Sequence, residues 1–231
     1  MTAVYFCIFA GHVPHRGVSR HLRFIRAKIE RSSHLERFVL SKKLLETVTT
    51  EVKGCEKCLL WKTRKNAVPG EGSAKSRIMF IGEAPGRSED LAGRPFVGAA
   101  GKFLEALLLE AELQRTEVFI CNVLKCRPPE NRQPRPDEVQ TCAPFLDRQI
   151  KIVKPKLIAT LGNHATAYMF SKAGLPFEGI TVAHGKPRRA TILEIEITLF
   201  PTFHPAAALY NGEYKRQLIE DFKLLKKELS L

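Results

Sequence analysis

The chain has 231 residues, 44% hydrophobic and 26% charged, a balance that excludes collagen-like repeats, coiled coil and wholesale disorder and leaves material for a buried core. Lys and Arg number 37 against 24 Asp and Glu, a formal net charge of +13, which for a compact domain points to an anionic partner and first of all to nucleic acid. The longest apolar run, 4–10, is far short of the roughly 18 residues of a membrane-spanning helix. No Lys or Arg precedes it and Gly11-His12-Val13-Pro14-His15 follows it, so it does not read as a secretory leader either, and an intracellular protein is expected.

Residues 1–34 mix isolated apolar residues with Arg and His at no sustained period, and read as a basic extension of low order. A helix over 35–52 opens the domain proper, because Leu35, Phe38, Val39, Leu44, Leu45, Val48 and Val52 approximate helical spacing. From there to residue 231 short β-rich runs alternate with longer amphipathic ones, the pattern of parallel strands joined by crossover helices. Strands are expected over 77–82, 117–124, 156–161 and 195–203, and helices over 101–113, 136–153, 164–173 and 214–229. Asp137 and Glu138 follow Pro136, as a helix start favours. The result is an α/β sandwich, in which ligands bind outside the carboxyl ends of the strands.

Six cysteines are too few for a disulfide scaffold and read first as ligands or core residues. Cys55-Glu56-Lys57-Cys58 is a C-x2-C pair at a helix end, and Cys126 and Cys142, with fifteen residues between them, supply the other half of a four-thiolate site suited to zinc or to an iron-sulfur cluster. Cys55, Cys58 and Cys126 sit in Lys- and Pro-rich loops, where a merely apolar cysteine has little reason to be. Cys7, in the extension, and Cys121, inside a strand, read as structural bystanders.

Four further features fall at the predicted ligand edge. Gly82-Glu83-Ala84-Pro85-Gly86 sets glycines around a carboxylate in a turn where backbone approaches a ligand closely. Gly93-Arg94-Pro95-Phe96-Val97-Gly98 places an aromatic between glycines, either a core plug or a stacking platform for a base. Asn122 lies in an otherwise apolar strand, where a buried amide needs partners for its donor and its acceptor, in the core or on a ligand. His204 ends the last strand and is held extended by Pro205.

Taken in order, Gly82-Glu83-Ala84-Pro85-Gly86, Gly93-Arg94-Pro95-Phe96-Val97-Gly98, Asn122-Val123-Leu124-Lys125-Cys126-Arg127-Pro128-Pro129 and His204-Pro205-Ala206, with the Cys55/Cys58 pair, resemble the iron-sulfur, thermostable type of uracil-DNA glycosylase, family 4, across about 43–231. The resemblance implies a three-layer α/β fold with a central four-stranded parallel sheet. It also implies a [4Fe-4S] cluster on Cys55, Cys58, Cys126 and Cys142, and cleavage of the N-glycosidic bond of uracil in DNA to leave an abasic site. It further implies a DNA-bound, cytoplasmic, nucleoid-associated monomer acting on single- or double-stranded DNA.

Such an enzyme extrudes the base into a pocket, stacks it and reads its Watson-Crick edge. On that footing Gly82 admits the base, Phe96 stacks on it, and the Asn122 amide accepts from N3–H and donates to O4, a pattern that cytosine reverses. His204 donates to O2 as negative charge grows there. Glu83 favours the oxocarbenium-like sugar or positions water, by side chain or by backbone. By resemblance Glu89 crowds the uracil C5 and excludes a thymine methyl. The family commonly carries a bulky residue second after the His-Pro pair; here Ala206, Ala207 and Ala208 precede Leu209, which takes the role of the wedge in the vacated stack. Two rival readings stand beside this one: a glycosylase of the same fold for another base, and a non-catalytic nucleic-acid-binding protein with structural zinc.

Overall fold

The computed structural model describes residues 20–230, with side chains described for Glu36 and for 38–229. Within the expected extension, residues 1–19 and Cys7 lie outside the described residues, as do the side chains of Arg20, Arg23, Arg26 and Lys28. The chain divides into two units, Met1–Arg37 and Phe38–Leu231. The described part of the first is backbone of helix α1, Arg20–Lys53, so the helix expected from residue 35 begins upstream of it.

In the second unit four short apolar strands lie side by side and parallel: β2 (Ile78–Gly82), β3 (Phe119–Asn122), β4 (Leu157–Leu161) and β6 (Ile195–Thr202). Strands β2 and β4 are buried at every residue, which is why they read as unbroken apolar runs rather than alternating ones. Among the described residues the sheet has six strands rather than the four expected, with β1 (Glu71–Gly72) and β5 (Arg188–Ile192) added, in the order β1-β3-β2-β4-β6-β5. Its edges are antiparallel: β1 against β3 and β5 against β6.

Helices α2 (Arg87–Ala92), α3 (Ala99–Glu110), α4 (Pro136–Val153), α5 (Asn163–Lys172), α6 (Ile180–Ala183) and α7 (Gly212–Ser230) complete the unit. Leu104, Leu107 and Leu108 of α3 and Leu218, Phe222 and Leu225 of α7 pack with Phe80 and Phe200 on one side of the sheet. Leu146 and Ile150 of α4 and Met169 and Phe170 of α5 pack with Met79, Ile81 and Leu199 on the other. These are the three layers the sequence predicts. A third cluster joins Val48 and Val52 of α1 to Leu60, Leu124 and Phe145 around the cysteines.

The topology fixes where a ligand belongs. From β2 the chain crosses to β3 on one side, and from β4 it crosses to β6 on the other, so the crevice outside the carboxyl ends of β2 and β4 is the switch point of the sheet. Register places Gly82 opposite Asn122 and Leu161 opposite Thr202, bringing the ends of all four parallel strands to one level. The end of β6 is pinned from α7: Thr202 Oγ1 donates to Asp221 Oδ2 at 2.6 Å and His184 Nδ1 lies 3.1 Å from Asp221 Oδ1.

Candidate active site

A cavity of about 400 Å³ opens at that level, lined by Glu83, Glu89, Phe96, Asn122 and His204 together with the 128–132 loop and Ala206. Its size suits a single small ligand. Gly82, the last residue of β2, lies behind two of these side chains: a Cβ there would lie 2.4 Å from Asn122 Oδ1 and 2.8 Å from Phe96 Cζ, so only glycine lets them meet over the strand end.

Asn122 is 2% exposed and its Oδ1 has no hydrogen-bond partner. A buried amide oxygen without a partner is uncommon and costly, and the residue that carries this one lines the cavity. Phe96 is buried beside it, its ring 5.7 Å from that of His204 at an interplanar angle of 30°. Its backbone lies in the left-handed region at φ 49°, a conformation costly for a bulky residue and kept only where its surroundings enforce it. Arg115 supplies part of that enforcement. Its guanidinium donates to the carbonyls of Pro95 and Phe96 and pairs with Glu71 at 2.7 Å, while Arg94 of the same loop pairs with Glu71 at 2.8 Å. Burial works against the Glu71 carboxylate, but the hydrogen bonds from Arg94 and Arg115 prevail and hold it below the usual range.

Glu89 closes the other side of the Phe96 loop. One carboxylate oxygen accepts the backbone N–H of Val97 and of Gly98, both at 2.9 Å, at the start of α3. The carboxylate is thus fixed in the cavity wall, where the amino end of a helix favours it.

His204 Nδ1 accepts the N–H of Ala206 at 3.1 Å. The neutral ring therefore carries its proton on Nε2. Burial pushes its pKa down to about 4, with the nearby Glu89 charge opposing, so the neutral form prevails at physiological pH. Glu83 lines the cavity half-buried and pairs with His164 Nδ1 at 2.7 Å from the first turn of α5. Leu209 does not line the cavity; it is 42% exposed at the end of the 3-10 turn Pro205–Leu209, next to Tyr210, 92% exposed.

The four expected thiols line one small cavity of their own, with Arg64, Lys125 and Phe145, and Cys121 is buried elsewhere, in β3. As they stand, no group of three or more His, Cys, Asp or Glu side chains among the described residues is arranged to hold a metal ion. Burial raises the Cys126 thiol and pushes Cys142 up to about 11. Two basic residues work the other way: Arg64 Nη1 donates to Cys126 Sγ at 3.0 Å, and the Lys125 backbone N–H donates to Cys142 Sγ at 3.3 Å.

The description of the uracil DNA glycosylase superfamily matches residues 69–223. The chain belongs to that superfamily, in its type-4 group. The type-4 uracil-DNA glycosylase of Sulfurisphaera tokodaii is 56% identical over 183 residues, 79% of this chain and 83% of its own. Those of Saccharolobus solfataricus and Archaeoglobus fulgidus are 52% identical over 187 residues and 44% over 179, covering 80% and 78% of this chain and 87% and 90% of theirs. The matched superfamily region contains Glu83, Glu89, Phe96, Asn122 and His204. Sequence reasoning missed His164, Arg115 and Lys125. Only tertiary structure brings the first two to Glu83 and to the Phe96 loop. Lys125 stands beside a predicted ligand but reads as solvated, since lysine is seldom buried.

Proposed function

We propose that this chain excises uracil from DNA by hydrolysing its N-glycosidic bond, a step of DNA repair. The observation that carries the reading is the unpartnered Oδ1 of Asn122 at the end of β3. The N3–H of an extruded uracil supplies the donor this oxygen lacks, while the amide nitrogen donates to O4. Cytosine offers an acceptor at N3 and a donor at C4, so both contacts fail and the buried amide is left unsatisfied.

Phe96 stacks against the base, and Gly82 gives it room at the strand end. As the C1′–N1 bond breaks, its electron pair leaves with the uracil and negative charge grows on O2. The Nε2–H of neutral His204 donates to that oxygen, and a group that needs no protonation change suits this task. Positive charge grows on the sugar, and the Glu83 carboxylate, held by His164, stabilises it, orients the water that adds at C1′ and takes up that water's proton, which passes on to the departing uracil anion. Glu89, fixed by the α3 amides, crowds the base at C5 and disfavours a thymine methyl. Leu209, exposed on the 3-10 turn that His204 begins, fills the gap left in the base stack. A net charge of +13 suits binding to DNA phosphates, and the chain acts as a monomer. Residues 1–34 are read as a basic extension and 35–231 as the glycosylase domain.

Cys55, Cys58, Cys126 and Cys142 are the residues that would hold a [4Fe-4S] cluster. Their fit rests on the donor set: four soft thiols on one cavity, two of them receiving N–H bonds from basic residues, as thiolates buried from water require. Bound there, the cluster supplies a structural tie between the end of α1, the 126 loop and α4, and no bond-breaking chemistry.

The test is incubation with oligonucleotides carrying one uracil, followed by alkali. Scission at uracil and none at cytosine, thymine or hypoxanthine is expected. Equal scission at hypoxanthine or thymine would favour the rival glycosylase, and no scission at any base would overturn the reading.

A further inference from the structure

Lys125 is 1% exposed, yet its side chain reaches neither water nor a carboxylate. Its Nζ donates to the backbone carbonyl of Asn122 at 2.8 Å and to Gln149 Oε1 at 2.7 Å. Gln149 is itself buried and fixed, donating Nε2 to the Pro69 carbonyl at 2.7 Å. Among the described residues no ion pair includes Lys125. Two neutral acceptors compensate a buried ammonium poorly. What it does have nearby is sulfur: its backbone N–H donates to Cys142 Sγ at 3.3 Å, it lines the four-thiol cavity, and its charge favours the thiolate of Cys142 as it does that of Cys121.

This lysine therefore stands between the two centres of the molecule. On one side is the four-thiol cavity, which it lines; on the other is the backbone of the residue that reads the base. Four thiolates outweigh the positive charge of an iron-sulfur core, so the loaded centre is anionic and a cation buried against it is compensated.

We propose that Lys125 is the buried counter-charge of the four-cysteine centre and a positioning residue that ties it to Asn122. The inference rests on the cluster reading above. With the centre loaded, the ammonium is balanced on its thiolate side and holds the Asn122 carbonyl on the other, so the amide is presented to the cavity at a fixed height above Gly82. When the centre is lost, the same lysine is left unbalanced, and both the 122–126 segment and the reading of uracil loosen.

The test uses the purified holoprotein, two variants and a control: Lys125→Met keeps the stem and removes the charge, Gln149→Glu gives Nζ a carboxylate of its own but removes the donor to the Pro69 carbonyl, and the control Gln149→Leu removes that donor without adding charge. The first readout is the rate at which an iron chelator bleaches the visible absorbance; the second is KM against kcat on a uracil strand. Both variants are expected to bleach about ten- to a hundredfold faster than the parent, with KM raised more than kcat is lowered. If Lys125→Met does not fold, Gln149→Glu decides by its bleaching rate relative to Gln149→Leu, because the two lose the same Pro69 bond and only one supplies a carboxylate. Coloured variants that bleach at the parental rate would overturn the inference and leave the cluster reading standing. A colourless parent would overturn the cluster reading and the inference with it.

Discussion

Nδ1 of His204 accepts the backbone N–H of Ala206, two residues further along the chain, at 3.1 Å. This one bond fixes the tautomer, because it leaves Nε2–H as the donor of the neutral ring. Burial lowers the pKa from 6.5 to about 4, so neutralising the ring costs nothing at working pH. Excision is therefore expected to show no inflection near pH 6.5 and to fall only as pH approaches about 4. Replacing His204 by Ala should reduce kcat by on the order of 10²- to 10³-fold. A pH–rate profile of the parent with a midpoint near 6.5 would contradict this.

The same shift has a consequence for stability. The unfolded chain takes up the proton at 6.5 and the folded chain only at about 4, so the folded state is disfavoured as pH falls between them. Stability linked to this residue is complete above about 6.5 and is lost as pH falls toward about 4. Thermal melts from pH 7 down to 4 should show the parent losing more stability than His204→Ala; parallel curves would mean that the imidazole titrates normally.

Gly82 and Asn122 face each other across β2 and β3, and a Cβ on Gly82 would lie 2.4 Å from Asn122 Oδ1. Both neighbours it meets are side-chain tips of the reading site, so the site shifts before the strand does. Gly82→Ala should lower kcat/KM on uracil strands by on the order of 10²-fold, the scale of a 1 Å misplacement, with a smaller change in melting temperature. Activity within a factor of a few of the parent would show that the two side chains yield without loss.

Much of this was legible in the sequence. Helix α4 was predicted over 136–153, where it stands, because Pro136, Asp137 and Glu138 mark its start and its apolar face keeps helical period. Strands β2, β3 and β4 were visible because burial at every residue makes them almost wholly apolar, and β6 because its second half is an equally buried run. The edge strands were not: β1 is two residues long, and β5 begins Arg188-Arg189 with both exposed, as edges exposed to solvent tend to be. In the cavity, Glu83, Phe96, Asn122 and His204 meet as their places after strands and in a glycine loop implied, and Glu89, which only the family resemblance pointed to, joins them from α2. Leu209 and the partners His164 and Arg115 are set by tertiary contacts with no local pattern. The upstream turns of α1 were missed because 20–34 carry no apolar period.

Cys142 and Cys121 give contrasting expectations. Cys142 lines the four-thiol cavity, whereas Cys121 lies within β3. Cys142→Ser should lose the visible absorbance of the holoprotein or lower its melting temperature, since metal-site folds depend on every ligand, and Cys121→Ser should keep both. Absorbance and iron content check this, and a full chromophore in Cys142→Ser would show that the four cysteines are wrongly grouped.

The central claim is that the unpartnered Oδ1 of Asn122 exists to accept the N3–H of uracil. Its most direct test is Asn122→Asp, assayed side by side on strands that differ only in one uracil or cytosine. A carboxylate cannot donate to O4, so uracil excision should fall by about 2 to 4 kcal/mol in transition-state binding, and discrimination against cytosine should narrow. Parental uracil turnover in Asn122→Asp would contradict the account.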